Sequence, residues 1–371
     1  MEKFKSKIQA VKKEKLDPVK PFLPALFFVA GFLYDVFTLG RVDSWFNIVQ
    51  QIFFIFVCVF ITYLGLLNIG AAESGSHRLV KKAMEYNNEA LHFLIGSLLS
   101  AFTLFYVKSA SSFASFIFIF ILFAVLIFNE KSANQSNKVN FEIKWGLISL
   151  CILSFLSYSV PMVVGAVGFW ITMLTGLIYV LVIGAIILGL IRLGAQKDKI
   201  IKLIGMPSGV VLAFIMFCNL MNWTPPIPIS IQHIGIYHNV EKKDGQYLLY
   251  HQRPWWKFWL HSDQDFKSAP GDKLYGYARI FSPVGFDDKV FFHWRKKDKK
   301  GNWVTIDRIP VLIRGGREEG FRAFTFKSNY SSGSYILKVE TDDGREIGRS
   351  SFFVTKIEPS EDARIFKITY E

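Results

Sequence analysis

Several sets of side chains in this sequence are of types from which chemistry can be built. The first comprises ionisable groups in or beside apolar stretches: Asp35, Glu73, His77, Glu89 and His92. Ionisable groups at bilayer depth are costly, and they commonly serve proton or ion movement. If they converge, carboxylates and imidazoles make an acid–base or ion site. Spread along an interface, they make a polar network, and Asp35 near Arg41 fits an interfacial carboxylate. The second set is Arg314, Gly315, Gly316, Arg317 and Arg322. Forked guanidinium groups and exposed backbone N–H groups suit a carboxylate or phosphate, so this run is a candidate anion-binding loop. It also fits a plain turn in which the arginines pair with Glu318 and Glu319. The third set is Trp255, Trp256, Lys257, Phe258 and Trp259. Tryptophans beside a lysine suit the lipid headgroup layer, packing between domains, or stacking on a sugar or protein partner. Lys296, Lys297, Lys299 and Lys300 around Gly301-Asn302 fit a solvated hairpin tip or a contact with anionic lipid or polymer.

No nucleophile–base pair stands out. The sequence has no Gly-x-Ser-x-Gly, no phosphate-binding P-loop and no His-Glu-x-x-His. His233, His238, His251, His261 and His293 are scattered among strand and loop patterns. Cys58, Cys151 and Cys218 lie in apolar segments without metal-ligand spacing, so neither a disulfide nor a zinc site is expected. No catalytic residue, metal or cofactor is assigned.

The elements that must position these groups fall into two halves. The chain has 371 residues, is 51% hydrophobic, and has a mean hydropathy of +0.30. A water-soluble surface does not supply such values. Apolar runs predict about seven transmembrane helices: Phe22–Leu39, Trp45–Ile69, Leu91–Val107, Phe113–Phe128, Trp145–Val160, Val163–Ile191 and Met206–Trp223. The fifth and sixth form one long run, with a turn expected at Pro161 and Gly165. Gly96, Ser97, Ser100 and Ala101 give the third helix a small-residue face suited to close packing. The lysine-rich start is too long and charged for a cleavable signal peptide.

Net charge is +13, but in the first half the excess sits in alternate loops. Seven lysines precede the first span. Arg78, Lys81 and Lys82 follow the second span, Lys131, Lys138 and Lys144 the fourth, and Arg192, Lys197, Lys199 and Lys202 the sixth. The opposite loops have only Arg41 and Lys108. The positive-inside rule puts the basic loops in the cytoplasm, and seven spans then end outside. The charge is explained by orientation, so nucleic acid is not an expected partner.

The expected division is a basic cytoplasmic N-terminus over 1–21, a helical domain over 22–223, a Pro-rich linker over 224–230 and an extracytoplasmic domain over 231–371. The last region reads as short strands with turns between them. Lys243-Asp244-Gly245, Asp343-Gly344 and Gly301-Asn302 are hairpin signals. The expected strands are Ile231–Val240, Gln246–Gln252, Lys273–Phe281, Lys289–Arg295, Trp303–Ile306, Pro310–Ile313, Gly320–Phe326, Gly333–Thr341 and Glu346–Val354. That pattern predicts an all-β, immunoglobulin-like sandwich of two sheets, with Phe292 and Trp294 on one face and Trp294 in the core.

Pro270-Gly271-Asp272-Lys273-Leu274-Tyr275, Val290 with His293-Trp294, and Gly315-Gly316-Arg317-Glu318 before Gly320-Phe321-Arg322 resemble a bacterial envelope family. So do Gly333-Ser334-Tyr335, Val339-Glu340-Thr341, Asp343-Gly344-Arg345-Glu346-Ile347-Gly348 and Phe353-Val354. The family is domain of unknown function 2914, and the resemblance covers about 270–355. It implies a C-terminal β domain behind membrane helices in the bacterial inner membrane, and it supplies no activity. Tyr335 stands where the family leads one to expect Trp.

Two functions are compatible with these readings. One is a non-catalytic envelope protein in the lipid bilayer, whose periplasmic sandwich binds a protein or glycan and whose bundle is an anchor or assembly platform. The other is a membrane-embedded transporter or lipid-modifying enzyme with the sandwich as an accessory.

Overall fold

A computed structural model describes residues 23–38, 42–70, 87–110, 117, 139–194, 196–254, 256, 262–317, 319–357 and 364–371. The chain forms two compact units. One gathers the described parts of 1–105, 119–157 and 174–217, and the other those of 106–118, 158–173 and 218–371.

Six apolar helices, not seven, occur among the described residues. They are α1 (Leu23–Thr38), α2 (Trp45–Gly70), α3 (Asn87–Ser109), α4 (Val139–Val164), α5 (Phe169–Arg192) and α6 (Lys197–Leu220). The predicted fourth span, Phe113–Phe128, lies outside the described residues apart from Ile117. Helices α2 to α6 are each long and apolar enough to cross a membrane. Their polar flanks extend several of them beyond the apolar runs. α6 begins at Lys197 rather than Met206, and its first turns include a π-helical stretch, Ile201–Gly205.

Within the first unit α3 is the central helix, buried along 72% of its most apolar stretch, against 22% for α2. Its small-residue face is what admits a neighbour. Ser97, Ser100 and Ala101 are fully buried, and Gly31 of α1 lies against the α3 backbone so closely that a Cβ would meet Phe93 O at 2.1 Å. Small residues at such crossings let backbones approach where no hydrophobic driving force separates helix from lipid. Hydroxyls and an indole tie α4, α5 and α6 together. Trp145 Nε1 donates to Ser208 Oγ at 2.9 Å, the Tyr179 hydroxyl donates to the Ser208 carbonyl at 3.1 Å, and Tyr179 also bonds Ser149.

The second unit is built around eleven strands: β1 (Ser230–Tyr237), β2 (Asn239–Lys243), β3 (Gln246–His251), β4 (Asp265–Ser268), β5 (Leu274–Phe281), β6 (Asp287–Lys297), β7 (Trp303–Arg314), β8 (Phe321–Lys327), β9 (Gly333–Thr341), β10 (Glu346–Lys356) and β11 (Lys367–Tyr370). They make three sheets rather than the expected two, ordered β1-β5-β8, β4-β10-β9-β6-β7 and β11-β3-β2. All pairings are antiparallel except β4 with β10.

The first two sheets form the sandwich. Alternation puts Val290, Phe292 and Trp294 of β6 inward with Leu274, Ala278 and Ile280 of β5 and Leu337 of β9. Trp294 is fully buried, and its Nε1 donates to Thr325 Oγ1 at 3.2 Å, so its polar atom has a partner. Tyr335 stacks on Phe352 at 5.5 Å and its hydroxyl donates to the Ser331 carbonyl. A tyrosine therefore fills the position where a tryptophan was expected.

The small third sheet covers the outer face of β1-β5-β8. Tyr237, Val240, Leu249 and Tyr277 form a second core there. That explains why β5 has buried residues on both faces. Pro310 sits inside the continuous β7, where two short strands were expected. It is tolerated because β7 is the edge of its sheet and needs no N–H on its outer side.

Two segments expected to be simple connections are built into this unit. Residues 224–229 are buried, with Ile229 in the sandwich core. The α4–α5 turn comes after Pro161, which lies inside α4, and the chain reverses over 165–168. There Gly165 has φ +79° and its carbonyl accepts from Asp287 N at 3.0 Å. Val167 N donates to Asp288 Oδ2 at 2.9 Å, and the Val167 side chain enters the sandwich core.

Candidate functional site

The outer face of β1-β5-β8 carries a row of basic side chains that no sequence run announces. Strand register sets His233 of β1 opposite Arg279 of β5, and Arg279 opposite Arg322 of β8. A bulge between Ile231 and His233 places the histidine on this face, alongside Tyr237 and Tyr277. Like charges directly opposite one another on a sheet are destabilising, so the row requires an anion.

Glu371 supplies it. Its Oε2 lies 2.6 Å from Arg279 Nη1, its Oε1 lies 3.4 Å from His233 Nδ1, and its main-chain oxygen accepts from Arg322 Nη1 at 2.8 Å. Arg322 Nη2 also bonds Glu319 Oε2 at 2.6 Å. Burial, then the charge of Glu371, pushes the Tyr237 hydroxyl far up, so it remains a donor. It meets His233 Nε2 at 2.5 Å, which leaves Nδ1 to present its proton to Glu371. Gly235 makes this contact possible, because a Cβ there would stand 2.8 Å from the Tyr237 oxygen and 2.4 Å from Ser262 Cβ. The row opens on a cleft of 800 Å³ lined by Gln232, Gln246, Arg279, Arg322, Tyr370 and Glu371, among others.

A second polar cluster flanks the same small sheet. His238 is buried, with its ring 4.0 Å from Phe266, its Nε2 3.6 Å from Asp263 Oδ2 and its Nδ1 3.8 Å from Asp272 Oδ2. Neither ring nitrogen makes a hydrogen bond among the described residues. Burial lowers His238 to about 4 and raises Asp263 to about 7, in both cases by favouring the neutral form. Asp263 accepts from Gln252 N at 3.0 and 3.1 Å. Burial also pushes Asp272 up, but its paired bonds from Arg364 at 2.5 and 2.8 Å outweigh that and hold it below the ordinary value.

The residues singled out by sequence fare differently. Trp256 is about half exposed and borders a 430 Å³ cleft with Gln252, Arg253, Asp263, Asp265 and Lys267. Trp255, Lys257, Phe258 and Trp259 lie outside the described residues. The amides of the Gly315-Gly316 turn are already used. Gly315 N donates to Phe286 O at 2.7 Å and Gly316 N to Ser282 O at 3.2 Å, and a Cβ at 315 would meet Pro283 O at 1.8 Å. The glycines are there for close packing, and no anion nest is formed. Arg314 is exposed and Arg317 lies over the Phe321 ring at 5.3 Å, so of these three arginines only Arg322 joins the basic row.

His92 is buried in α3. Asp35 and Glu89 lie in α1 and α3 with side chains outside the described residues, as are Glu73 and His77 altogether. At the lysine-rich tip, Asp298 Oδ1 accepts from Lys300 N and Asn302 N at 2.8 Å each, which makes it an ordered hairpin. Among the described residues no group of three or more His, Cys, Asp or Glu is placed to hold a metal ion.

The fold and these clusters define a protein of several apolar helices followed by an all-β domain. Within that domain, residues 287–354 match the family described as protein of unknown function (DUF2914). The match covers β6 through most of β10, the strands holding Phe292, Trp294 and Tyr335. No curated protein matches the chain. Among solved structures the chain is similar to an immunoglobulin-like protein from Pseudomonas aeruginosa, at 12% identity and TM-score 0.21, over 34% of this chain and 96% of that one. It is also similar to a Pseudomonas fluorescens alkylpurine DNA glycosylase bound to DNA containing an abasic site analog, at 10% identity and TM-score 0.23, over 85% of this chain and 99% of that one.

Proposed function

We propose that this is a non-catalytic membrane protein of the bacterial envelope whose β domain stands outside the cytoplasmic membrane and binds a protein or glycan partner. The helical bundle acts as its anchor or assembly platform. One observation carries the binding reading: His233, Arg279 and Arg322 stand side by side at an open cleft and converge on a carboxylate. Such a row recognises acidic groups.

If α4, α5 and α6 cross in succession, the α4–α5 turn and the end of α6 share one side. The α4–α5 turn has no charged residue and is bonded to the β domain at Gly165 and Val167. The α5–α6 turn holds Arg192, Lys197 and Lys199 and belongs inside. Trp45 and Trp170 open α2 and α5, are 77% and 80% exposed, and suit the outer headgroup layer.

The test is a photo-crosslinking residue at Gln246, which lines the cleft, in living cells. Capture of a discrete protein or glycan is expected. Capture of lipid alone would sink the binding-module reading and return attention to the bundle.

A further inference from the structure

The segment Arg364–Glu371 lies on the β domain as a bound peptide lies in a groove. Its backbone adds to the edge of β3, with Lys367 opposite His251, Thr369 opposite Leu249 and reciprocal bonds between Tyr247 and Glu371 at 2.7 and 2.9 Å. Its inward side chains each meet a dedicated partner. Arg364 makes a paired bond to Asp272, and Phe366 packs on His238 at 5.0 Å. Thr369 Oγ1 bonds His251 Nε2 at 3.1 Å, and Glu371 sits on the basic row. Its outward side chains are left in solvent, with Ile365 84%, Ile368 41% and Tyr370 63% exposed. Main-chain pairing for affinity, with alternate side chains read by pockets, is how extended peptides are recognised by strand addition.

The small burial of this four-residue edge strand is out of proportion to the polar machinery around it. Arg279 and Arg322 lie directly opposite each other on strands the segment does not belong to, and together they would repel without it. Asp272, fixed by Ala269 N at 2.9 Å, is likewise set by the turn between β4 and β5 and not by the segment. Basic and acidic receptors therefore stand at opposite ends of a strand-length groove.

We propose that this groove is a peptide-binding site. Its partner is an extended segment of another envelope protein with a basic residue at one end and an acidic residue about seven positions later, and Arg364–Glu371 is an internal stand-in that the partner displaces. This rests on the binding-module reading above and names its partner class.

The test uses the full chain in detergent, beside a variant lacking 364–371. The probe is a fluorescent synthetic peptide with the sequence of residues 364–371, and its fluorescence anisotropy is measured. The shortened chain should keep its near-ultraviolet circular dichroism and bind the peptide. Replacing the peptide's last residue in the manner of Glu371→Gln, or making Arg322→Ala in the shortened chain, should weaken binding about tenfold or more, as loss of a charge-assisted bond does. The intact chain should bind more weakly than the shortened one. A shortened chain that stays folded without binding, or binds both peptides alike, overturns the proposal.

A shortened chain that loses its fold also overturns it, since the segment is then an integral strand. Amide exchange in the intact chain is an independent reading. Glu371→Gln should speed exchange at Tyr247, Leu249 and His251 while Val290 and Leu337 stay protected, and unchanged exchange counts against displacement. A dimer that requires Glu371 would show that a second copy fills the groove, overturning the partner class. Crosslinked capture at Gln246 that survives Arg322→Ala would leave the binding-module reading standing and overturn this one alone.

Discussion

Asp263 and His238 face each other 3.6 Å apart inside the β domain, and burial leaves both preferring the neutral form. Their effects on stability run in opposite directions. His238 falls from 6.5 to about 4 on folding, lowered first by burial, against the pull of Asp272 and with Arg364 and His251 adding to it. The unfolded chain then binds the proton more tightly, so stability from this group is present above 6.5 and is lost as pH falls towards 4. His251 is lowered to about 4 by burial and by Arg253 and Lys367, and adds to the same acid loss. Asp263 rises from 3.8 to about 7, so the stability from its protonated form is present below 3.8 and lost as pH rises through 7. Asp263→Asn keeps an acceptor for Gln252 N and removes the ionisation. Thermal melts of the intact chain should show Asp263→Asn equal to wild type near pH 4 and more stable above pH 7, by up to ~4 kcal/mol. His238→Gln should flatten the decline between pH 6.5 and 4. Parallel melting curves for Asp263→Asn and wild type across this range would show that Asp263 ionises freely in the fold. None of this was legible in the sequence, where Asp263 and His238 belong to separate loops and strands. The basic row was hidden for the same reason. Register across three strands brings His233, Arg279 and Arg322 together, whereas sequence proximity grouped Arg322 with Arg314 and Arg317, which point elsewhere.

Elements were more legible than sites where local chemistry decides. Alternation in β6 is enough to put Phe292 and Trp294 in the core. Asp244-Gly245 closes the β2–β3 hairpin because both residues take positive φ, 50° and 81°, as that turn requires. Where tertiary context decides, the reading failed. β4 and β11 have four residues each, too few for a period to show. Pro310 looked like a break because its edge position was unknown. Pro161 and Gly165 were both expected in the turn between helices; Gly165 is there, with φ +79° against the sandwich, but Pro161 lies inside α4, which continues to Val164. That turn gives a sharp prediction. A Cβ at 165 would meet Gly285 O at 2.5 Å in a backbone conformation that alanine resists. Gly165→Ala should therefore lower the stability of the β domain by ~1–3 kcal/mol, seen as a lower melting temperature by tryptophan fluorescence. Gly184→Ala in α5, where nothing lies within 4 Å, should leave it unchanged. An equal melt for both variants would show that the turn is not locked into the domain.

At the scale of the whole molecule, the proposed orientation joins the distribution of loop charge to the bonding of one turn to the β domain. In the proposed orientation the lysine- and arginine-bearing α5–α6 turn lies inside, and the uncharged 165–168 turn, bonded to the β domain, lies with that domain outside. That placement uses only α5 and α6, so it does not depend on Phe113–Phe128. Labelling can decide it. Cys58, Cys151 and Cys218 are free and buried, so replacing each with alanine gives a background for single reporters. Asn302→Cys places one at the exposed β6–β7 hairpin tip, and Lys197→Cys places one at the exposed start of α6. A membrane-impermeant maleimide should label residue 302 in cells whose outer barrier has been opened, and residue 197 only after the cytoplasmic membrane is lysed. The reverse pattern would invert the protein and put the β domain in the cytoplasm. Labelling of both before lysis would mean that α6 does not cross, and α6 would then be an apolar helix of the assembly rather than a span.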